Sequence, residues 1–270
     1  MRVIVTRPER EAQAWVQALA QRGVEALALP LIVIHPMPDT SALRSAWRQL
    51  GDYAALMFVS GAAVEHFFAL EASSGYGRGL PGGLTTRFWG TGPGTAAALL
   101  RHGVDAALLD APARDAGQFD SEALWDVVHA RVQSGDRVLI VRGGDGAQDP
   151  VMPLAGAGSG FGRDWLAQRL VEAGARVEFL LAYWRAAPVF SAAQSAMAQH
   201  AASDGSVWLF TSAQAVANLG TCLPLRSWAG ARALVTHARI ASAARTAGFG
   251  VVWESRPSVS DLVASIESNR

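Results

Sequence analysis

Two hydroxyl-bearing turns carry the clearest chemistry in the chain. Leu56-Met-Phe-Val-Ser-Gly-Ala-Ala-Val64 and Trp208-Leu-Phe-Thr-Ser-Ala-Gln-Ala-Val216 are each an apolar run that stops at a hydroxyl residue and restarts as a helix. A strand that ends in a polar turn and opens a helix presents free backbone N–H groups to an anion. Ser60, Gly61 and Ala62 in one segment, and Thr211, Ser212 and Ala213 in the other, are therefore candidate anion-binding positions. Plain helix capping is the alternative use of the hydroxyls.

Arginines close a second pair of apolar runs. Arg7 follows Thr6 at the end of Arg2-Val-Ile-Val-Thr6, and Arg142 precedes Gly143 at the end of Arg137-Val-Leu-Ile-Val141. A guanidinium fork matches a carboxylate, so each arginine is read as a carboxylate contact or as a surface ion pair. Gly90-Thr-Gly-Pro-Gly94 fits a dinucleotide turn only from Gly92, with Ala97 as its last member. Pro93 inside that turn and the lack of a clear ribose-binding acid weaken this reading. A tight strand-to-helix bend with Thr91, Gly92 and Thr95 at the helix start fits better, serving a cap or a ligand. His237 falls at a loop tip, and Tyr183 is one of three tyrosines; each suits packing or a cleft.

Several chemistries are disfavoured. Val141-Arg-Gly-Gly-Asp-Gly146 lacks the Lys-Ser/Thr of a phosphate-binding loop, and no Gly-x-Ser-x-Gly elbow surrounds the hydroxyls. The six histidines do not fall at metal-ligand spacing, and the single Cys222 builds neither a disulfide framework nor a metal cluster.

The elements that must position these residues recur. Short Val/Ile/Leu-rich runs alternate with helical patterns: Val3–Val5 then 9–21, Ala55–Val59 then 62–70, Val138–Val141 then 163–172. Strands apolar on both faces and separated by helices imply parallel sheets covered on both sides, an α/β fold with strand C-terminal loops on one edge. Three unit types repeat in the same order. The Leu56 segment matches the Trp208 segment, Arg87–Val104 matches Arg232–Val251, and Arg2–Val24 matches Arg137–Val177. The chain reads as an internal duplication with two sets of loop tips, and two such sets facing each other would make a cleft. Ala28–Pro36 and Leu180–Pro188 are extended, proline-terminated segments at equivalent places, candidates for linker strands. Pro150–Gly162 and Ser73–Gly83 read as surface loops.

At 270 residues the chain can hold two modest domains. A charged fraction of 17% argues against disorder, and zero formal net charge favours neither nucleic acid nor a membrane surface. The N-terminus enters a strand pattern at once, and the apolar stretch at 27–34 is too short to span a bilayer, so a cytoplasmic protein is expected.

The order and spacing of these segments resembles the uroporphyrinogen-III synthase family nearly end to end. The resemblance rests on Val5-Thr-Arg-Pro8, Phe58-Val-Ser60, Gly92-Pro-Gly-Thr-Ala96, Ser121-Glu-Ala-Leu124, Val141-Arg-Gly143, Tyr183-Trp-Arg185, Phe210-Thr-Ser212 and His237-Ala-Arg-Ile-Ala241. It implies two similar flavodoxin-like domains, each a parallel sheet flanked by helices, joined by a two-stranded antiparallel linker. One domain would hold 1–34 plus 186–270 and the other 38–181, with linker strands at about 30–37 and 181–188, as the resemblance has it. A cut between the sequence repeats would instead fall near residue 120.

The implied reaction closes hydroxymethylbilane, a linear polycarboxylate tetrapyrrole, and inverts its last ring. It needs no cofactor. The resemblance assigns Tyr183 as the catalytic acid or water-positioning group. It matches Thr95 to a cleft threonine and Ser60, Thr211 and Ser212 to loop-tip positions lining the cleft; with Thr6, Arg7, Gly61, Ala62, Thr91, Gly92, Arg142, Gly143, Ala213 and His237, read from the strand ends and helix starts themselves, they make up the candidate substrate contacts. Ile240 stands where some members carry the second-repeat equivalent of Thr95. A monomer is implied, receiving substrate by transient hand-over from hydroxymethylbilane synthase, with no nucleic-acid or membrane partner. Two other readings are a non-catalytic tetrapyrrole or small-molecule sensor of this fold, and a nucleotide-dependent enzyme using the Gly90–Gly94 turn.

Overall fold

The computed structural model describes residues 1–70, 79–113, 121–145 and 163–269; the Pro150–Gly162 loop lies outside them, as does most of Ser73–Gly83. The chain divides into two compact units, Met1–Ile34 with Ala186–Arg270, and His35–Arg185.

The first unit is built on β1 (Val3–Val5), β2 (Ala26–Ala28), β9 (Val207–Phe210), β10 (Arg232–Val235) and β11 (Val251–Glu254), in the order β11-β10-β9-β1-β2. Adjacent strands pair in parallel, with Val3 opposite both Ala26 and Val207. Both faces of this sheet are covered, which is why its central strands β1 and β9 are apolar throughout. Helices α1 (Glu9–Ala20) and α10 (Val259–Ser268) pack Leu19, Leu262 and Ile266 against Val3, Val5, Val207 and Leu209. On the other face, α7 (Ala192–Ala201), α8 (Ala213–Cys222) and α9 (Ala238–Thr246) pack Ala198, Val216 and Ile240 against Ile4, Trp208 and Phe210.

The other sheet is formed by β3 (Val33–Pro36), β4 (Ala55–Phe58), β5 (Arg87–Gly90), β6 (Leu109–Asp110), β7 (Arg137–Gly144) and β8 (Arg176–Ala186), in the order β3-β8-β7-β4-β5-β6; all but the outer ends of β3 and β8 lie in the second unit. One face packs Ala55, Met57, Val138 and Ile140 under α5 (Ser121–Val128) and α6 (Arg163–Glu172). The other is aromatic. Phe58 meets Phe67 of α3 (Gly61–Phe68) edge-on at 5.4 Å between centroids and stacks with Phe88 at 6.5 Å, under α4 (Pro93–Arg101).

The order β2-β1-β9-β10-β11 is repeated as β8-β7-β4-β5-β6. The two halves of the duplicated sequence exchange partners. The first half lends β1 and β2 to one sheet and β4, β5 and β6 to the other, and the second half does the reverse. The same device ends four helices. In α1, α4, α6 and α9 a glycine with positive φ (Gly23, Gly103, Gly174, Gly248) is followed by an apolar residue. That residue's N–H returns to a carbonyl five residues back, as in Val24 to Leu19 at 3.1 Å and Phe249 to Ala244 at 3.1 Å. This is the Schellman closure, which glycine makes without Cβ strain.

One sequence expectation is adjusted. Ala28–Pro36 is not a single extended segment: Leu29, Leu31 and Ile32 are buried in the core of the first unit, and strand structure resumes only at Val33. Pro30 has no N–H to give to a ladder, and it separates the two strands. The second candidate belongs to one long strand, β8, which begins at Arg176.

Candidate active site

In both units the site candidates gather where the connections to a parallel sheet leave in opposite directions. In the first unit β1 leads to α1 on one face while β9 leads to α8 on the other. In the second, β4 leads to α3 while its neighbour β7 leads to α6 across the sheet. Such a switch point leaves a crevice at the strand carboxyl ends, the usual ligand position in open α/β sheets. Thr6, Arg7, Thr211 and Ser212 border the first; Arg142, Gly143, Ser60 and Gly61 border the second.

At the second switch point the geometry converges on Tyr183. Ser60 ends the strand-to-helix turn as the N-cap of α3, its Oγ accepting the Ala63 N–H at 3.1 Å. The same oxygen lies 3.1 Å from the Tyr183 hydroxyl. The tyrosine is 5% exposed, and its ring stacks on His66 of α3 at 5.5 Å with a 28° interplanar angle. Its other neighbour is Gly143, where a Cβ would run into the tyrosine ring and reach within 2.8 Å of its hydroxyl.

A slip in strand register puts the ring there. Along β7 and β8 the partners run from Arg137↔Arg176 to Arg142↔Leu181, then shift so that Gly143 faces Tyr183. Ala182 is the extra residue. Side chains alternate between sheet faces, so without the bulge Tyr183 would fall on the face that Phe179 shares with α5 and α6. With it, the ring joins the face of Val141 and reaches Ser60 and His66 on the α3 side.

The neighbouring positions differ in what their side chains already do. Thr91 donates to the Val59 carbonyl at 3.3 Å. Gly92 is the extended N-cap of α4 without a side-chain cap, Pro93 follows it, and Thr95 is buried one turn in. Gly90 serves packing: a Cβ there would sit 3.2 Å from the Ala96 backbone N, so this glycine lets α4 approach β5. That use accounts for the glycine of the strand end without a nucleotide. Arg142 keeps its guanidinium over the Phe179 ring at 5.1 Å, and its buried Nε has no hydrogen-bond partner among the described residues.

At the first switch point the Thr6 hydroxyl turns into the sheet and donates to the Leu209 carbonyl at 2.7 Å, leaving its backbone at the edge. Arg7 pairs with Glu11 at 2.7 Å and lies over Trp15 at 4.6 Å. Ser212 caps α8 by accepting the Gln214 N–H at 3.2 Å, with Thr211 before it and Ala213 opening the helix. His237, exposed one strand over, caps α9 by accepting the Arg239 N–H on Nδ1 at 3.1 Å. Ile240 is a core residue of α9, while its counterpart Thr95 is buried on α4.

Burial lowers the pKa of His66 below its ordinary 6.5, against the smaller opposing pull of Glu65, and so favours the neutral ring beside Tyr183. Burial raises the Cys222 thiol, whose Sγ is 3.3 Å from the Pro188 carbonyl. Among the described residues no group of three or more His, Cys, Asp or Glu could hold a metal ion, and no helix is long and apolar enough to cross a membrane.

A family model described as uroporphyrinogen-III synthase HemD matches residues 13–264. The chain belongs to the uroporphyrinogen-III synthase family. The fold agrees with solved structures of uroporphyrinogen III synthases. A mutant enzyme from the extremely thermophilic bacterium Thermus thermophilus aligns with TM-score 0.56 and 16% identity over 99% of this chain and 98% of that one. The enzyme from Helicobacter pylori aligns with TM-score 0.55 and 16% identity over the whole of both chains. In a uroporphyrinogen-III synthase fold, then, this sequence sets Tyr183 against Ser60, Gly143 and His66. His66 is not among the residues that sequence reasoning singles out. It lies four residues after Ala62, on the same helical face, and that spacing is the available signal.

Proposed function

We propose that the protein converts hydroxymethylbilane to uroporphyrinogen III and water, a cyclising lyase step of haem biosynthesis, with Tyr183 assisting departure of the hydroxyl. The observation that carries this reading is the Tyr183 hydroxyl, held 3.1 Å from Ser60 at the β4/β7 switch point of a chain in this family.

A phenol can donate a hydrogen bond to the leaving oxygen of the hydroxymethyl group. As the C–O bond breaks, that oxygen takes up a proton and leaves as water, while the pyrrole nitrogen gives up its proton and the ring becomes an electrophilic azafulvene. Its carbon bonds to the substituted α-position of the last ring, giving a spiro intermediate. One bond to that carbon then breaks and re-forms at the opposite side of the ring, inverting it. A polycarboxylate must be held in one conformation throughout, because direct closure gives the type I isomer.

The chain supplies such a hold without a strongly basic surface. The first N–H groups of α3, α4 and α8 lie at strand ends, where helix N-termini favour carboxylates. Arg142 adds a cation whose Nε is unpartnered among the described residues. Gly61, Ala62, Gly92, Ala213 and Gly143 contribute backbone rather than side chains. The two units serve as the two domains of the enzyme. It acts as a cytoplasmic monomer with no resident cofactor, taking substrate from hydroxymethylbilane synthase.

The test is a coupled assay. Hydroxymethylbilane is generated by its synthase in the presence of the protein, the products are oxidised, and the porphyrin isomers are separated. Predominant type III supports the proposal. Type I alone, at the level formed without the protein, overturns it.

A further inference from the structure

We propose that Ser60 is a positioning residue for Tyr183: its hydroxyl donates to the tyrosine oxygen, so that the phenolic proton points to the departing group. This rests on the function proposed above and goes beyond Ser60 as a substrate contact.

Either hydroxyl could donate at this distance, and the hydrogen-bond inventory of Ser60 favours the serine. A serine hydroxyl has one proton and two lone pairs. One lone pair accepts the Ala63 N–H at 3.1 Å, a bond fixed by the start of α3. Among the described residues the acceptor available to the Ser60 proton is the Tyr183 oxygen at 3.1 Å. If Tyr183 donated instead, Ser60 would accept twice and its own proton would be left over. The donating arrangement satisfies the serine and leaves the tyrosine proton free for substrate.

The surroundings make the pair rigid. The helix start fixes Ser60, with φ −165° and ψ 160°. The tyrosine ring is confined by Gly143, by His66 and by the register shift after Arg142. Two groups 123 residues apart in the chain meet through a turn and a bulge, both backbone features. Substrate therefore finds the phenol already oriented, and the barrier is reduced by the orientation not lost at that moment.

The test combines kinetics with a spectroscopic readout. Glycine is close to serine as an N-cap, so Ser60→Gly removes the hydroxyl with little cost to α3, whereas Ser60→Thr retains it. The expected result for Ser60→Gly is about a tenfold fall in kcat, the worth of one neutral hydrogen bond, with KM within about twofold. Ser60→Thr restores kcat. In a Tyr183→Phe background Ser60→Gly causes no further loss beyond about twofold, because both changes remove one interaction. An equal fall in both backgrounds, a change in KM alone, or no rescue by threonine overturns the proposal.

With Cζ-labelled tyrosine, the Tyr183 carbon-13 signal is assigned by its disappearance in Tyr183→Phe. It shifts in Ser60→Gly if the two hydroxyls are bonded, and an unchanged signal overturns the pairing. This arm needs no turnover. Should the wild-type protein form no type III product, the functional reading fails while the spectrum still decides the Ser60–Tyr183 bond.

Discussion

The ring of Tyr183 occupies the space that a Cβ on Gly143 would need, at the point where the β7–β8 ladder slips by one residue. The absence of a side chain on one strand thus makes the seat for the aromatic side chain on the next. Gly143→Ala must move the tyrosine or the strand. Overpacking of this kind costs about 1–3 kcal/mol of stability. Because the ring carries the hydroxyl, kcat falls by more than in a control of equal instability placed elsewhere, such as Ala198→Gly in the core of the first unit. Thermal melts paired with turnover check this; equal kcat in the two variants contradicts it.

The chain should show an acid weakness centred on His66. Its folded pKa lies below the unfolded value of 6.5 because burial disfavours the charged ring. The unfolded state therefore binds more protons, and stability rises with pH. The contribution is fully present above pH 6.5 and is lost as pH falls through that value toward the lower folded pKa. Urea melts at neutral and mildly acidic pH should give a smaller difference for His66→Gln than for the wild type. An identical pH dependence would remove His66 as its source.

Two glycines that stop helices should differ in their tolerance of alanine. Gly248 has φ +94° with nothing within 4 Å of an added Cβ, so Gly248→Ala meets only left-handed strain, about 1–2 kcal/mol. Gly174 has φ +88°, and an added Cβ would lie 2.8 Å from the Ser134 Oγ and 3.1 Å from its Cα. Gly174→Ala is therefore the more destabilising of the two by chemical denaturation. The opposite ranking would mean that the turn around Ser134 yields freely.

Arg142 should act on binding more than on chemistry. Its guanidinium packs over Phe179, and its Nε lacks a partner among the described residues. If it meets a substrate carboxylate, Arg142→Gln removes a charge-assisted bond of about 1.5–3 kcal/mol and raises KM at least about tenfold, with a smaller effect on kcat. Arg142→Lys restores little, because a point charge does not replace the fork. An unchanged KM would leave the arginine a packing role.

Much of this architecture is legible from the residues. Alternating apolar runs and helical patterns point to the parallel α/β sheets, and the matched Ser60 and Ser212 segments are indeed strand, turn and capped helix. The recurrence is readable because each unit type repeats its own punctuation, down to the glycine after the helix. The exchange of strands between the repeated halves is not readable from the repeats, since a strand does not encode which equivalent neighbour it joins. It enters only through the family resemblance.

The finer positions are hidden for a related reason. Nothing in Leu181-Ala-Tyr183 announces the bulge at Ala182, because register is a property of two strands and not of one. Thr6 reads as a loop-tip hydroxyl, yet one residue of added depth commits its side chain to the Leu209 carbonyl. Gly90 reads only as the start of a tight strand-to-helix bend, and the reason for glycine there, the close approach of α4 to β5, appears only in the packing.

The most direct measurement of the central claim is single-turnover conversion of hydroxymethylbilane by the wild type and by Tyr183→Phe, with both shown to be folded by thermal melts. The wild type is expected to make type III product, and the phenylalanine variant to make it at least about a hundredfold more slowly, the lower range for loss of a general acid. Its melt should stay close to the wild type. Equal single-turnover rates in the two proteins would contradict the assignment, and Tyr183 would have no part in the departure of the hydroxyl.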